Sequence, residues 1–253
     1  SYYYHYALLS VGGELMAAFE TSLAPVSLSP IVMQAVALGV EQDKITTFLL
    51  PVQASNHPIY NPSLDYSVYL SQPFFFVLFQ VLILLITVYA VGIEIKFRTA
   101  DEWLFVAKGN MVTAVLGKLL PYTIIFILIG WLANYVMFGI LHIPFQGSWL
   151  LMNMLTALFV VATQALGLFL FSLFPAISLI ISIVSMVGSL GATLSGVTFP
   201  VTNMYPLVRD ASYLFPVRHF TEMMQNMLYG GSGFIYLWPS VVILCIFPLL
   251  AFV

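Results

Sequence analysis

Residues 119–208 read LLPYTIIFILIGWLANYVMFGILHIPFQGSWLLMNMLTALFVVATQALGLFLFSLFPAISLIISIVSMVGSLGATLSGVTFPVTNMYPLV, so no Asp, Glu, Lys or Arg lies between Lys118 and Arg209. A water-soluble domain needs charge on its surface, and a stretch of this length without any cannot supply one. Two further charge-free runs flank it, Tyr66 to Ile93 and Met223 to Val253. A bilayer core about 30 Å thick is crossed by about 20 mainly apolar residues in a helix. A charge at mid-membrane costs roughly 2.5–3.5 kcal/mol on insertion scales. The pattern is that of a polytopic, all-α membrane protein.

Composition says the same. Apolar residues make up 61% of the chain and charged residues 7%, against about 25% charged in globular domains; mean hydropathy is +1.03. A net charge of −3 gives no reason to expect nucleic acid as a partner. The single Cys245 has no intrachain partner for a disulfide. The chain opens at Ser1 without Met or a basic leader, which reads as a fragment or a trimmed chain.

Five spans are expected: about Val68–Ile93, with Pro73 in its first turn; Val112–Phe138, with a kink at Pro121; Trp149–Phe174; Ala176–Val197, set off by Pro175; and Tyr236–Val253. Four of the seven basic residues, Lys96, Arg98, Lys108 and Lys118, cluster between the first two spans or just inside the second. The positive-inside rule puts that loop, residues 94–112, in the cytoplasm. Residues 1–65, 139–148 and 198–235 then lie outside. An outside start without a leader implies a further membrane helix upstream of Ser1. Residues 1–65, with helical character at Ala7–Leu23 and Ile31–Val40 and a turn-rich Asn56–Pro62, form the end of an external domain. Residues 66–253 form the membrane domain.

The loop after the first span, Glu94-Ile95-Lys96-Phe97-Arg98-Thr99-Ala100-Asp101-Glu102-Trp103-Leu104, mixes both charge signs with aromatic residues, as a short helix at a membrane surface does. Thr99 and Glu102 stand in capping-box spacing. The loop is either an interfacial anchor for two helices or a docking element for a cytoplasmic partner. In the fourth span Ser178, Ser182, Ser185, Ser189, Ala192 and Gly196 recur at spacings of four and three, a small-residue face that lets helices approach closely. That face serves packing within the chain, a seam between subunits, or the wall of a substrate path. Gln80, Asn134, Asn153, Thr156, Thr163 and Gln164 are polar but not ionisable, better suited to hydrogen bonds between helices than to a proton relay. An apolar path would suit an amphiphilic or hydrophobic cargo. In the outer segment, Arg209, Asp210, Arg218, His219 and Glu222 either satisfy buried backbone or act as a charged gate.

Several chemistries find no support. No Gly-x-x-x-x-Gly-Lys-Ser/Thr phosphate loop is present. The four histidines show no metal-ligand spacing, and no Ser/His/Asp set falls on one side of the membrane.

Glu94, Thr99 and Glu102-Trp103-Leu104, followed by Gly117-Lys118-Leu119-Leu120-Pro121-Tyr122, resemble the coupling region of type-2 ATP-binding-cassette exporter permeases. Asn61-Pro62 with Tyr66 and Tyr69, then Ser195–Pro200, Met204-Tyr205-Pro206 and Leu214–Phe220, extend the resemblance over about residues 60–253. Two departures stand out: Arg98 occupies the position where Gly precedes the Thr, and Ala107-Lys108-Gly109-Asn110 replaces a Thr-Pro stretch. The resemblance implies a six-helix permease of which this chain supplies helices two to six, with two short re-entrant helices before the last. It also implies a bacterial inner membrane, a cytoplasmic ATPase partner that holds the ATP and Mg, and a second permease copy, identical or not; this chain would hold no cofactor. Glu94, Lys96, Arg98, Thr99, Asp101, Glu102 and Trp103 would dock the ATPase, with Trp103 as the anchor. The Ser178–Gly196 face would lie near the dimer centre. Pro200, Pro206, Arg209, Pro216, Arg218 and His219 would form the outer re-entrant gate. A secondary carrier without an ATPase, and a membrane scaffold or sensor that transports nothing, are the alternative functions.

Overall fold

The computed structural model describes residues 2–5, 56–59, 66–143, 145, 147–197, 201–229 and 234–251. The chain divides into two compact units, Ser1–Tyr69 and Leu70–Val253. In the first, two short strands pair in parallel, β1 (Tyr2–His5) and β2 (Asn56–Ile59), in the register Tyr2 with Asn56 to His5 with Ile59. The turn expected over Asn56–Pro62 is thus a strand in its first four residues. The helical stretches expected at Ala7–Leu23 and Ile31–Val40 lie outside the described residues.

The second unit is helical. Its elements are α1 (Tyr66–Phe97, in this unit from Leu70), α2 (Ala100–Val106), α3 (Met111–Asn134), α4 (Trp149–Leu173), α5 (Ile177–Leu194), α6 (Pro206–Ser212), α7 (Pro216–Tyr229) and α8 (Phe234–Leu250). The last turns of the second span, Tyr135–Ile140, continue α3 as a π-helix. Leu70–Phe97, Met111–Ile140, Trp149–Leu173 and Ile177–Leu194 are long and apolar enough to cross a membrane, and the protein is an integral membrane protein. The expected fifth span corresponds to α8, whose apolar stretch Leu237–Leu249 is shorter. Helix α1 runs past Ile93 to Phe97, so Glu94 and Lys96 belong to a helix rather than to a loop, and its start at Tyr66 puts Pro73 beyond the first turn.

Lipid gives apolar helices no hydrophobic reason to associate, so small residues, aromatic contacts and interhelical hydrogen bonds hold such bundles together. All three operate here. Helices α1 and α4 are more than half buried, while α3 and α5 are 17% and 22% buried over their apolar windows and keep broad faces open. Phe76 of α1, Phe159 of α4 and Phe220 of α7, all fully buried, form an aromatic knot with ring centroids 4.5 to 6.0 Å apart, within the range where ring pairs attract. Gly130 lets α3 close onto Thr156 of α4, and Gly188 lets α5 close onto Val81 of α1; a Cβ at either would stand under 3 Å from its neighbour. Asn134 Nδ2 donates to Thr156 Oγ1 at 3.0 Å and to Asn153 Oδ1 at 3.2 Å, and Thr123 Oγ1 donates to Gln164 Oε1 at 2.7 Å. These polar residues pair between α3 and α4, as their type leads one to expect.

Candidate functional site

The junction between the first two spans is a short helix bounded by two tight turns. Helix α1 ends in a Schellman motif: the Thr99 amide donates to the Glu94 carbonyl at 2.9 Å, the Arg98 amide donates to the Ile95 carbonyl at 3.3 Å, and Arg98 takes φ +58°. Helix α2 ends the same way. Gly109 N–H donates to Leu104 O at 2.9 Å and Lys108 N–H to Phe105 O at 3.0 Å, with Lys108 at φ +54° and Gly109 at φ +75°. The first left-handed position in each turn, Arg98 and Lys108, is therefore filled by a basic residue rather than glycine. Asn110 then opens α3 by accepting from the Thr113 amide at 3.1 Å through its side chain.

Helix α2 has an inner and an outer face. Ala100, Trp103, Leu104 and Ala107, spaced three and four apart, are half-buried, whereas Asp101, Glu102, Phe105 and Val106 are exposed. Trp103 turns toward its own chain, with Lys118 Nζ 5.3 Å from its ring centroid. The large apolar groups facing out are Phe105, 85% exposed, and Val106, 82% exposed. Lys96 and Arg98 are also exposed. Two grooves open on α2: one of about 490 Å³ between Trp103, Ala107, Thr113 and Lys118, and one of about 710 Å³ along Asp101, Phe105 and Lys108.

The capping box expected of Thr99 and Glu102 does not form. Thr99 makes no side-chain cap bond; its hydroxyl donates to Glu94 Oε2 instead. The other oxygen of the same carboxylate, Oε1, is ion-paired with Lys118 Nζ. The Thr99 amide, which a capping box would give to the Glu102 carboxylate, is taken by the Glu94 carbonyl, and the hydroxyl's bond to the Glu94 carboxylate is charge-assisted, about twice as strong as a neutral one. Of the predicted docking residues, Glu94 and Thr99 are thus held inside the chain, Trp103 is half-buried, and Lys96, Arg98, Asp101 and Glu102 face outward. Sequence reasoning left Phe105, Val106 and Lys118 out of the set. The i, i+3, i+4, i+7 spacing of Ala100, Trp103, Leu104 and Ala107 was the available signal for which face turns out.

The small-residue face of α5 is open. Ser178, Ser182, Ser185 and Ser189 are exposed, and Ala192 is partly so. Packing inside the chain falls to the opposite face, Ile180, Val184, Gly188 and Gly191. The serine hydroxyls turn back onto their own helix, Ser185 to the Ile181 carbonyl at 2.8 Å and Ser189 to the Met186 carbonyl at 2.9 Å. Gly196 does not extend this face: the helix stops at Leu194, and Gly196, at φ +88°, is part of the turn that follows.

In the segment before α8, Pro206 and Pro216 each open a helix, α6 and α7, where a missing N–H costs nothing. Pro200 lies outside the described residues. Arg209 is exposed and only loosely paired with Asp210, at 3.8 Å. Arg218 is buried and ion-paired with Glu222 at 3.1 Å, and Glu222 also accepts from Ser240 of α8 at 3.1 Å. His219 is fully buried, and its Nε2–H donates to the Tyr213 carbonyl at 3.0 Å. Burial pushes its pKa below the usual 6.5, against the opposing effect of that hydrogen bond. The first turn of α7 is capped from a distance: Gln80, fully buried in α1, accepts from the Val217 amide at 2.9 Å. Among the described residues no His, Cys, Asp or Glu cluster could hold a metal ion.

Residues 2–253 match the model of the ABC-2 family transporter proteins. The chain is 31% identical over 105 residues to the inner membrane transport permease YhhJ of Escherichia coli (strain K12), a match covering 40% of this chain and 27% of that protein. It is 26% identical over 139 residues to the probable multidrug ABC transporter permease YbhS of the same organism, covering 53% and 36%. To YbhR, which carries the same description, it is 24% identical over 181 residues, covering 72% and 49%. The chain thus spans half or less of the length of these relatives. No solved structure matches it. With its long apolar spans and the short helix linking the first two, the chain belongs to the ABC-2 family of transporter proteins.

Proposed function

We propose that this chain is the membrane-spanning permease part of an ATP-driven exporter, working as a dimer with a separate cytoplasmic ATPase that holds the ATP and Mg. Supporting the reading above all is α2: a short helix with Phe105, Val106, Asp101 and Glu102 exposed on one face and with its other face turned back onto the chain. A side chain such as Phe105, 85% exposed and flanked by charges, is the kind of anchor that a partner's groove desolvates. The segment 94–112 faces the cytoplasm in this reading, in keeping with its four basic residues, and residues 1–65 lie outside. The membrane is a bacterial inner membrane, as in the name of YhhJ. The ATPase pair closes on ATP, α2 carries the movement to α1 and α3, and alternating access moves an amphiphilic or hydrophobic cargo outward. The open serine face of α5 meets its counterpart in the second copy, and the segment 198–235 closes the path at the outer end.

The test is co-purification of the full-length protein with its candidate ATPase, in wild type and in the Glu102→Arg, Phe105→Ala double variant. Recovery with wild type and loss with the variant is expected. A folded wild-type protein that binds no ATPase would overturn the reading.

A further inference from the structure

Resting on that reading, the geometry points to Glu94 as a positioning residue: its carboxylate is the internal joint that ties α2 to both neighbouring spans, with Lys118 and Thr99 as its partners, and it is not a contact of the ATPase. One carboxylate oxygen takes the Lys118 ammonium from α3, the other takes the Thr99 hydroxyl at the entry to α2, and the backbone carbonyl of the same residue takes the Thr99 amide at 2.9 Å. Lys118 in turn lies 5.3 Å from the ring centroid of Trp103 on the inner face of α2. Glu94 thus gathers the end of α1, the start of α2 and the start of α3 at one group. The side chains of Glu94 and Lys118 are only 20% and 18% exposed. Withdrawn from water, this pair is screened less than a surface ion pair.

The consequence is mechanical. A seven-residue helix hung on two flexible turns would absorb a push at its outer face by pivoting. With Glu94 bonded on both sides, displacement of α2 is shared by α1 and α3 together. Removing the joint should leave the outer face, with Phe105 and Glu102, able to bind while movement is no longer passed on.

The experiment uses the full-length protein with its ATPase in lipid nanodiscs, and reads two quantities: ATPase recovered on the permease, and the rate of ATP hydrolysis that the permease stimulates. In Glu94→Gln and Lys118→Met the first is expected to stay at the wild-type level while the second falls about tenfold. The double variant should be no worse than either single one, and the exchanged pair Glu94→Lys with Lys118→Glu should recover part of the stimulation. Unchanged stimulation in both single variants, or loss of the ATPase itself from Glu94→Gln, overturns the inference. If Glu94→Gln cannot be recovered from membranes, Lys118→Met and Thr99→Val decide on the same two readouts. A wild-type protein that binds no ATPase overturns the exporter reading instead, so the two failures are told apart.

Discussion

At the scale of single residues, two side chains work against their usual setting. Gln80 is a polar residue in a membrane span, yet its role is defined: its Oε1 supplies the acceptor that the Val217 amide at the start of α7 would otherwise lack. A buried donor left unpaired costs about 1–3 kcal/mol. Gln80→Leu, similar in size, is therefore expected to destabilise the folded protein by that amount, read as a lower midpoint in chemical unfolding from detergent micelles; an unchanged midpoint would show that the cap contributes nothing. Arg98 is the converse case. It holds φ +58° at the end of α1, a conformation that strains any residue with a Cβ by roughly 1–2 kcal/mol, at a position where type-2 permeases resembling this chain carry Gly. Glycine's greater unfolded-state freedom removes part of the gain, so Arg98→Gly is expected to stabilise by about 0.5–1 kcal/mol. The β-branched Arg98→Val is expected to shift the same midpoint the other way.

At the scale of elements, α7 carries a titratable group where water does not reach. His219 is fully buried and its pKa is lowered by that burial. In the unfolded chain it takes up a proton near pH 6.5, whereas folded it resists until lower pH. The unfolded state therefore binds more protons once pH falls below about 6.5, and stability, complete above about pH 7, declines as pH falls further. The slope should flatten in His219→Gln, which isolates this group from the other histidines; equal slopes in the two proteins would sink the idea. The elements themselves were largely legible. The spans announce themselves through missing charge, and the span expected from Trp149 begins at that residue. The ends of α1 and α2 were not legible, because Arg98 and Lys108 fill left-handed positions that glycine usually marks. Nor was the partner of Thr99: local spacing offered Glu102, and the acceptor is Glu94, one helix back. Lys118, 24 residues further along the chain, could be joined to Glu94 only once the two spans were placed side by side.

For the whole molecule, the unequal burial of the spans points to what surrounds them. Helix α3 exposes a belt of large apolar residues, Leu116, Leu120, Ile125 and Leu128 among them, as suits contact with lipid tails. Helix α5 is as little buried but differs in kind: its open face carries Ser178, Ser182, Ser185 and Ser189 between Leu179, Met186 and Leu190. Short side chains with hydroxyls satisfied by their own helix suit a neighbour that comes close better than they suit fluid lipid. In the dimer proposed here that neighbour is α5 of the second copy. Cys245 lies on α8, so Cys245→Ala, with every other cysteine of the full-length protein also replaced, gives a background in which one introduced thiol reports one contact. Ser185→Cys in that background is expected to form a disulfide-linked dimer on mild oxidation of native membranes, because two thiols bond only when their Cα atoms come within about 7 Å. Leu128→Cys, on the belt of α3, is expected to stay monomeric under the same treatment. Cross-linking at Leu128 and none at Ser185 would move the seam to α3 and leave the serine face of α5 to lipid or cargo.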